Sequence, residues 1–355
     1  MNKRGKIRYV LASGNTSAGY QSFLPAIIDS LARVYILKGA PGSGRSTFIR
    51  QAGLALCERG FDVEFYVCPL NASSLEGVVF PQLATGIVNG SLPCPVEPRY
   101  PGVTGDIINL GEHWDREKIV TNQEEIQQLV NEMEKETGRA YSLLREAELA
   151  KEKLKGNWLP DLDLERLDAL VQKLAKEILD GQPGERHFFG STGSSQGLVS
   201  FIDELSEHCR KRYILKGPPG SGKSTVLAAI GTRAAQRGYL VEYYHNGLNP
   251  DSLDMVIITN LQVALIDGEG INVSAGPYDT IIDTGECVDL KPGDDNAPEI
   301  NDTRRTLESL LLDAVETLRD AESHRKRLQK LYTRAMDFSE VDRIRARVLE
   351  EILRK

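Results

Sequence analysis

Residues 213–225 read YILKGPPGSGKST, so an apolar run stands directly before a glycine-rich segment. The apolar run favours a strand, and the residues after Lys223 favour a helix. Residues 217–224 satisfy the pattern GxxxxGK[ST] in full. In this context the glycines let the backbone fold tightly, so that its amides form an anion nest at the positive end of the helix. The segment predicts a phosphate-binding loop; the alternative is a glycine-rich turn that fits the pattern by chance.

Each part of this loop has an expected role. Lys223 is expected to reach the β- and γ-phosphates of a nucleoside triphosphate. The Ser224 hydroxyl is expected to bind magnesium, because Mg²⁺ prefers oxygen ligands. The residues expected to line the nucleotide site are Gly217, Pro218, Pro219, Gly220, Ser221, Gly222, Lys223, Ser224 and Thr225.

The chain repeats itself. A shift of 178 positions places residues 35–39, which read YILKG, on residues 213–217, which read the same. Arg8 falls on Arg186 in this register, and farther along a shift of 174 places Glu112 on Glu286. A match this long predicts two similar halves.

The Gly- and Pro-rich segment 180–185 predicts a linker between the halves. We therefore expect a first domain at 1–180 and a second domain at 181–355. Helical periodicity dominates the end of each half, and each helical run is broken once. We expect one helical hairpin at about 116–180 and another at about 301–355. Each hairpin is expected to pack or self-associate, with a nucleotide lid or partner surface as the alternative.

The corresponding loop in the first half is altered. Arg45 stands where the second half has Lys223, although every glycine of the counterpart remains. Arginine is a bulkier, planar cation that does not substitute freely for a compact ammonium. We expect a weaker or absent nucleotide site in the first half, with activity at both sites as the alternative. Its candidate residues are Gly39, Gly42, Ser43, Gly44, Arg45, Ser46 and Thr47.

Two acids are candidates for the magnesium carboxylate that such a site needs. Asp267 ends a long apolar run and Asp283 ends a shorter one, so the longer run favours Asp267. The first half has Asn89 and Asn109 at the equivalent positions, which weakens any metal site there. Glu286 is a candidate for orienting an attacking water, and a structural role in its loop is the alternative.

The quoted loops and their strand–loop–helix context resemble the P-loop NTPase superfamily, from the first strand of each half to about Glu112 and Glu286. The tandem arrangement resembles a group of little-characterised bacterial proteins described only as ATPases. The pattern of strands and helices predicts an α/β fold with two tandem P-loop NTPase domains. Each would have a mainly parallel sheet flanked by helices and an appended helical hairpin.

Composition and charge argue against several other kinds of partner and location. The chain has 355 residues, enough for two domains, and a formal net charge of −8, which disfavours nucleic acid as a partner. Its five cysteines form no metal-binding spacing. No apolar run approaches a membrane span, and no signal-peptide pattern is evident, so the sequence predicts no membrane association and a cytoplasmic location.

We expect ATP and Mg²⁺ as ligands and hydrolysis of ATP in the second half, with Lys223, Asp267 and Glu286 as catalytic residues. The first half would be a degenerate regulatory or structural copy. Two alternatives stay open: a kinase that uses ATP to phosphorylate a small molecule, and a low-turnover nucleotide-dependent switch or scaffold that binds a protein partner. Neither an LSGGQ signature nor an NKxD motif is present, which disfavours transporter-like and GTPase functions.

Overall fold

A computed structural model describes residues 4–157, 162–178, 184–269, 273–288 and 297–354. Within these residues the chain forms an α/β fold with two six-stranded mixed sheets flanked by helices. Each half contributes one sheet, a two-stranded antiparallel hairpin and a helix that follows the glycine-rich loop.

Among its described residues the first half has eight strands: β1 (Ile7–Val10), β2 (Ser13–Thr16), β3 (Gly19–Ser22), β4 (Arg33–Lys38), β5 (Val63–Val67), β6 (Leu75–Phe80), β7 (Thr85–Asn89) and β8 (Gly105–Asn109). Its helices are α1 (Leu24–Asp29), α2 (Arg45–Glu58), α3 (Arg116–Thr121), α4 (Gln123–Gly156) and α5 (Leu164–Ile178), with 3₁₀ turns at Pro81–Leu83 and Leu110–His113. The sheet order is β1-β5-β6-β7-β4-β8, and β2 pairs with β3.

The second half repeats this list with β9 (Gly184–Phe189), β10 (Ser191–Ser194), β11 (Gly197–Ser200), β12 (Lys211–Lys216), β13 (Leu240–His245), β14 (Leu253–Ile258), β15 (Val263–Asp267) and β16 (Thr280–Asp283). Its helices are α6 (Ile202–Ser206), α7 (Lys223–Gln236), α8 (Ala297–Ala335) and α9 (Phe338–Leu353), with 3₁₀ turns at Thr259–Leu261 and Thr284–Cys287. The order β9-β13-β14-β15-β12-β16 matches the first sheet strand for strand.

The sheets are mixed because β6 and β14 run antiparallel to both of their neighbours. The remaining pairings are parallel, including those of β4 and β12 with the strands on either side. The carboxyl ends of β12 and β15 therefore meet at one edge of the second sheet, next to the glycine-rich loop. This edge is where open parallel sheets place their ligands.

The two halves are related by an approximate two-fold axis. Leu11 pairs with Phe189, its own equivalent, in an antiparallel bridge. Nearby, Arg8 and Arg186 share the buried carboxylates of Glu64 and Glu242. A core cluster also joins apolar side chains of both halves, among them Val10, Ala12, Phe188 and Tyr244. The halves therefore share one apolar interface.

The helical segments that end the two halves exchange places. We call α4 with α5 the first arm and α8 with α9 the second arm. α4 packs along α8 in antiparallel fashion, with ion pairs such as Lys153–Glu299 and Glu125–Arg327. α5 packs on α7 of the second half, and α9 packs on α2 of the first half.

The sequence predicted a helical hairpin appended to each half, but the helices of each arm pack on the other arm and on the opposite half instead of on each other. The apolar stripes of α5 and α9 were visible in the sequence, but a stripe does not specify which surface covers it. Equivalent bridges, Trp114–Met336 and Leu162–Val288, join each arm to the opposite half. Among the described residues, no helix is both long and apolar enough to cross a membrane.

Candidate functional site

The second glycine-rich loop, residues 217–225, follows β12 and ends in the first turn of α7, the strand–loop–helix order that the sequence predicted. Gly220 and Gly222 have φ angles of 89° and 84°, in the left-handed region that favours glycine. Ser221 is fully buried, and its hydroxyl lies 2.6 Å from that of Thr284. Helix α7 begins at Lys223, so its first amides face the loop. Left-handed glycines at two positions of a strand-to-helix turn are the backbone feature that this loop shows.

Lys223 points into this loop. Its Nζ donates to the carbonyl oxygens of Gly217 and Pro218 at 2.7 and 3.1 Å. The same Nζ lies 4.0 Å from a carboxylate oxygen of Asp267. Burial lowers the pKa of Lys223, while Asp267 and Glu269 oppose that effect. A positive charge is thus held with little solvent around it, which strengthens its attraction for an anion.

The two candidate acids differ in their surroundings. Asp267 ends β15, the neighbour of β12, and burial raises its pKa to about 6 although Lys223 opposes the shift. Asp283 ends β16 on the other side of β12, is exposed, and accepts the backbone N–H of Gly285 at 2.7 Å. The structure brings Asp267 to Lys223 and gives Asp283 a role as a cap of the following 3₁₀ turn.

The other predicted site residues are Ser224, Thr225 and Glu286, and they differ in exposure. Ser224 accepts the backbone N–H of Leu253 at 2.9 Å through its hydroxyl oxygen, which retains a lone pair and a proton. Thr225 is exposed on α7. Glu286 is also exposed, on the 3₁₀ turn after β16, and its backbone carbonyl accepts a hydrogen bond from Arg166.

The first glycine-rich loop, residues 39–47, has the same backbone arrangement between β4 and α2. Ser46 accepts the N–H of Leu75 at 2.8 Å, as Ser224 does that of Leu253. Arg45 donates to the amide oxygen of Asn89, so a guanidinium–amide pair replaces the ammonium–carboxylate pair of Lys223 and Asp267. Burial lowers the pKa of Arg45 to about 10, and Arg325 adds to the effect. Asn109 caps Gly111 at 3.0 Å, as Asp283 caps Gly285.

Each loop lies against the arm of the opposite half. A Cβ added to Gly220 would be 3.0 Å from the carbonyl oxygen of Lys155, at the end of α4. One added to Gly222 would be 2.7 Å from the Leu167 side chain on α5. In the first loop, a Cβ added to Gly42 would be 2.4 Å from the carbonyl oxygen of Gln329 on α8. The glycines are therefore needed for arm contact as well as for the turn.

Sequence reasoning missed a series of polar side chains, linked by hydrogen bonds, beside the second loop. Lys151 of α4 donates to Asn246 Oδ1 at 3.1 Å, and Asn246 Nδ2 donates to Asp254 at 2.7 Å. Asp254 is buried and also accepts from the Ser191 hydroxyl at 2.8 Å. Glu148, one turn before Lys151, accepts from Asn249 at 2.7 Å. The available signal was the shift of 174 positions, which aligns Lys151 with Arg325, a second cation.

Comparison with protein-family models, with curated proteins and with solved structures finds no significant match. The functional assignment therefore rests on the geometry and chemistry of the two loops.

Proposed function

We propose that the second half binds ATP with magnesium and hydrolyses it, as a member of the P-loop NTPase class. The observation that carries the proposal is the position of Lys223. Its ammonium donates to two carbonyl oxygens of the loop and faces the carboxylate of Asp267. Backbone amides, a buried cation and an adjacent acid are the groups that a magnesium-bound triphosphate requires.

The residues present suit magnesium. The Ser224 hydroxyl and the Asp267 carboxylate are hard oxygen donors, which Mg²⁺ prefers. Among the described residues, the acids, histidines and cysteines form no preassembled cluster that would hold a metal alone, so the phosphates would complete the coordination. Bound magnesium would neutralise phosphate charge. We propose Ser224 and Asp267 as its ligands, with Asp283 as the less favoured candidate.

Different groups of the chain would then have different roles in hydrolysis. The loop amides and Lys223 would hold the β- and γ-phosphates and stabilise the charge that grows on them. Glu286 remains the candidate for orienting the water. ATP is preferred over GTP because the chain lacks the NKxD sequence.

We propose that the first half is a regulatory or structural copy. Its loop retains the backbone nest, but Asn89 supplies a neutral amide where the second half supplies a carboxylate. An amide oxygen binds a divalent cation more weakly than a carboxylate does. The contact of each loop with the opposite arm favours one further candidate, a nucleotide-dependent switch with low turnover.

Calorimetry and phosphate release with wild type, Lys223→Ala and Arg45→Ala would test the proposal. We expect one magnesium-dependent ATP site per chain in the wild type. We expect Lys223→Ala to reduce turnover at least 100-fold, a change of roughly 2.7 kcal/mol in activation free energy. Arg45→Ala should keep both binding and turnover. Wild-type protein that binds neither ATP nor GTP with magnesium would refute the proposal, whereas binding without turnover would favour the switch or a kinase lacking its acceptor.

A further inference from the structure

We infer that Lys151, carried by α4 of the first half, contacts the bound triphosphate in the second half and so completes that site from the other half of the chain. This inference rests on the proposed function. It assigns a second cation to the site, in addition to Lys223.

The position of Lys151 is fixed by the exchange of arms. α4 runs along α8 and ends with Lys155 against Gly220, so the turn that carries Lys151 lies next to the second loop. Asn246, directly after β13, holds the Lys151 ammonium at 3.1 Å. The Asn246 side chain is itself fixed, because its oxygen accepts the backbone N–H groups of Leu248 and Asn249 at 3.1 and 3.0 Å.

The charged side chains of this site lie close together at the second loop. The Lys151 ammonium is linked to Asp254 through Asn246, at 3.1 and 2.7 Å, and the residue before Asp254, Leu253, donates its backbone N–H to Ser224 of the loop at 2.9 Å. The Lys223 ammonium, in the same loop as Ser224, lies 4.0 Å from the carboxylate of Asp267. Two ammonium groups that repel each other across a partly desolvated site would both be stabilised by a polyanion bound between them. A triphosphate in the second loop is such a polyanion.

The first half shows the same arrangement in altered form. Arg325 of α8 is the equivalent of Lys151 and lowers the pKa of Arg45, secondary to burial. However, Arg325 donates to the carboxylate of Glu322 at 2.9 Å, whereas Lys151 donates to the neutral amide of Asn246. The carboxylate offsets the Arg325 charge locally. Glu148, the equivalent of Glu322, also attracts Lys151 but accepts its hydrogen bond from Asn249. Among the described residues the Lys151 ammonium donates only to Asn246, so it keeps N–H donors for a bound anion, whereas the Arg325 guanidinium is held by a carboxylate.

Lys151→Met, Lys151→Arg and Lys153→Met test this assignment with the full-length protein. Lys153 is the matched control, because it lies on the same helix, is largely exposed and pairs with Glu299. We would measure the affinity for a magnesium-bound non-hydrolysable ATP analogue, phosphate release from ATP and the melting temperature. Lys151→Met should weaken analogue binding about tenfold and slow phosphate release about 100-fold, in the range of charge-stabilising groups at phosphoryl-transfer sites. Lys151→Arg should recover most of the affinity, and Lys153→Met should behave as wild type.

Hydrogen exchange on the wild type provides a readout that needs no variant. The analogue should increase amide protection at residues 144–157, because it would bind the first arm to the second loop. If Lys151→Met matched the wild type in affinity, turnover and protection while Lys223→Ala lost binding, the inference would be wrong and the proposed function would stand. If the wild type itself bound no analogue, both would be wrong.

Discussion

The backbone N–H of Phe189 donates to the carbonyl of Leu11 at 2.8 Å, and these two residues occupy equivalent positions in the two halves. A residue that pairs with its own equivalent lies on the axis that relates the copies, as in a symmetric dimer. Here one chain supplies both copies. Each copy therefore retains a dimer-like interface, and the exchanged arms extend that interface to the glycine-rich loops.

The exchange predicts that the first arm stabilises the second half. Leu174 of α5 is buried in the core that contains Leu215, Val226 and Ile230 of the second half. Leu174→Ala should lower the free energy of unfolding by about 2–5 kcal/mol, because it leaves a cavity in that core. Urea unfolding would measure the change. Leu149→Ala on α4, where the leucine is 67% exposed, is the control and should change stability by less than about 0.5 kcal/mol.

The exchange of arms also predicts where in the protein Leu174→Ala should reduce stability. Native-state hydrogen exchange in Leu174→Ala should show lost protection in α7, on which α5 packs. Loss confined to α4 and α5 would contradict a structural role for the arm in the second half.

The charge cluster on the axis predicts strong coupling between the halves. Burial alone would raise the pKa of Glu242, but the hydrogen bonds and charges of Arg8 and Arg186 lower it. Glu242→Gln would leave two guanidiniums to share the single carboxylate of Glu64. We expect a loss of about 3 kcal/mol, the lower end of the range for breaking buried pairs, because both arginines are partly exposed. Chemical denaturation would measure it.

A double-mutant cycle separates this coupling from general damage. Glu64→Gln and Glu242→Gln should be non-additive by at least about 0.5 kcal/mol, because both acids contact the same two arginines. Additive losses would mean that the four groups do not act as one network.

The two acids beside β12 predict different effects on magnesium dependence. Asp267→Asn introduces at the second loop the amide that Asn89 provides at the first, so it should weaken magnesium binding and slow hydrolysis about 100-fold. Asp283→Asn is a matched control, because an amide oxygen can still accept the Gly285 N–H, as Asn109 does for Gly111. Magnesium titrations of phosphate release would distinguish the two. A larger defect in Asp283→Asn would reverse the assignment.

Sequence reasoning reached the repeat, the α/β class and the strand–loop–helix around Gly220 because these depend on local patterns. It missed β14 as an antiparallel strand: all of Leu253–Ile258 is buried, so the strand shows no alternation of polar and apolar residues. It missed the arm exchange because periodicity shows that Leu167 and Val341 face an apolar surface but not which half supplies it. Lys151 was missed because a cation on a polar helix has the pattern of an ordinary solvated face.

The raised pKa of Asp267 predicts a pH dependence for magnesium binding. Burial moves this pKa from its ordinary value near 4 up to about 6, so the folded protein holds a neutral Asp267 below that pH. A protonated carboxyl must lose its proton to bind a metal, and magnesium affinity should therefore fall as pH drops through about 6. Affinity should level off above about pH 7, where the carboxylate is ionised. Calorimetry of magnesium and analogue binding in buffers of different ionisation enthalpy should detect proton release near pH 6, and Asp267→Asn should abolish it. An affinity that stays constant between about pH 5 and pH 7 would show that Asp267 does not bind the metal.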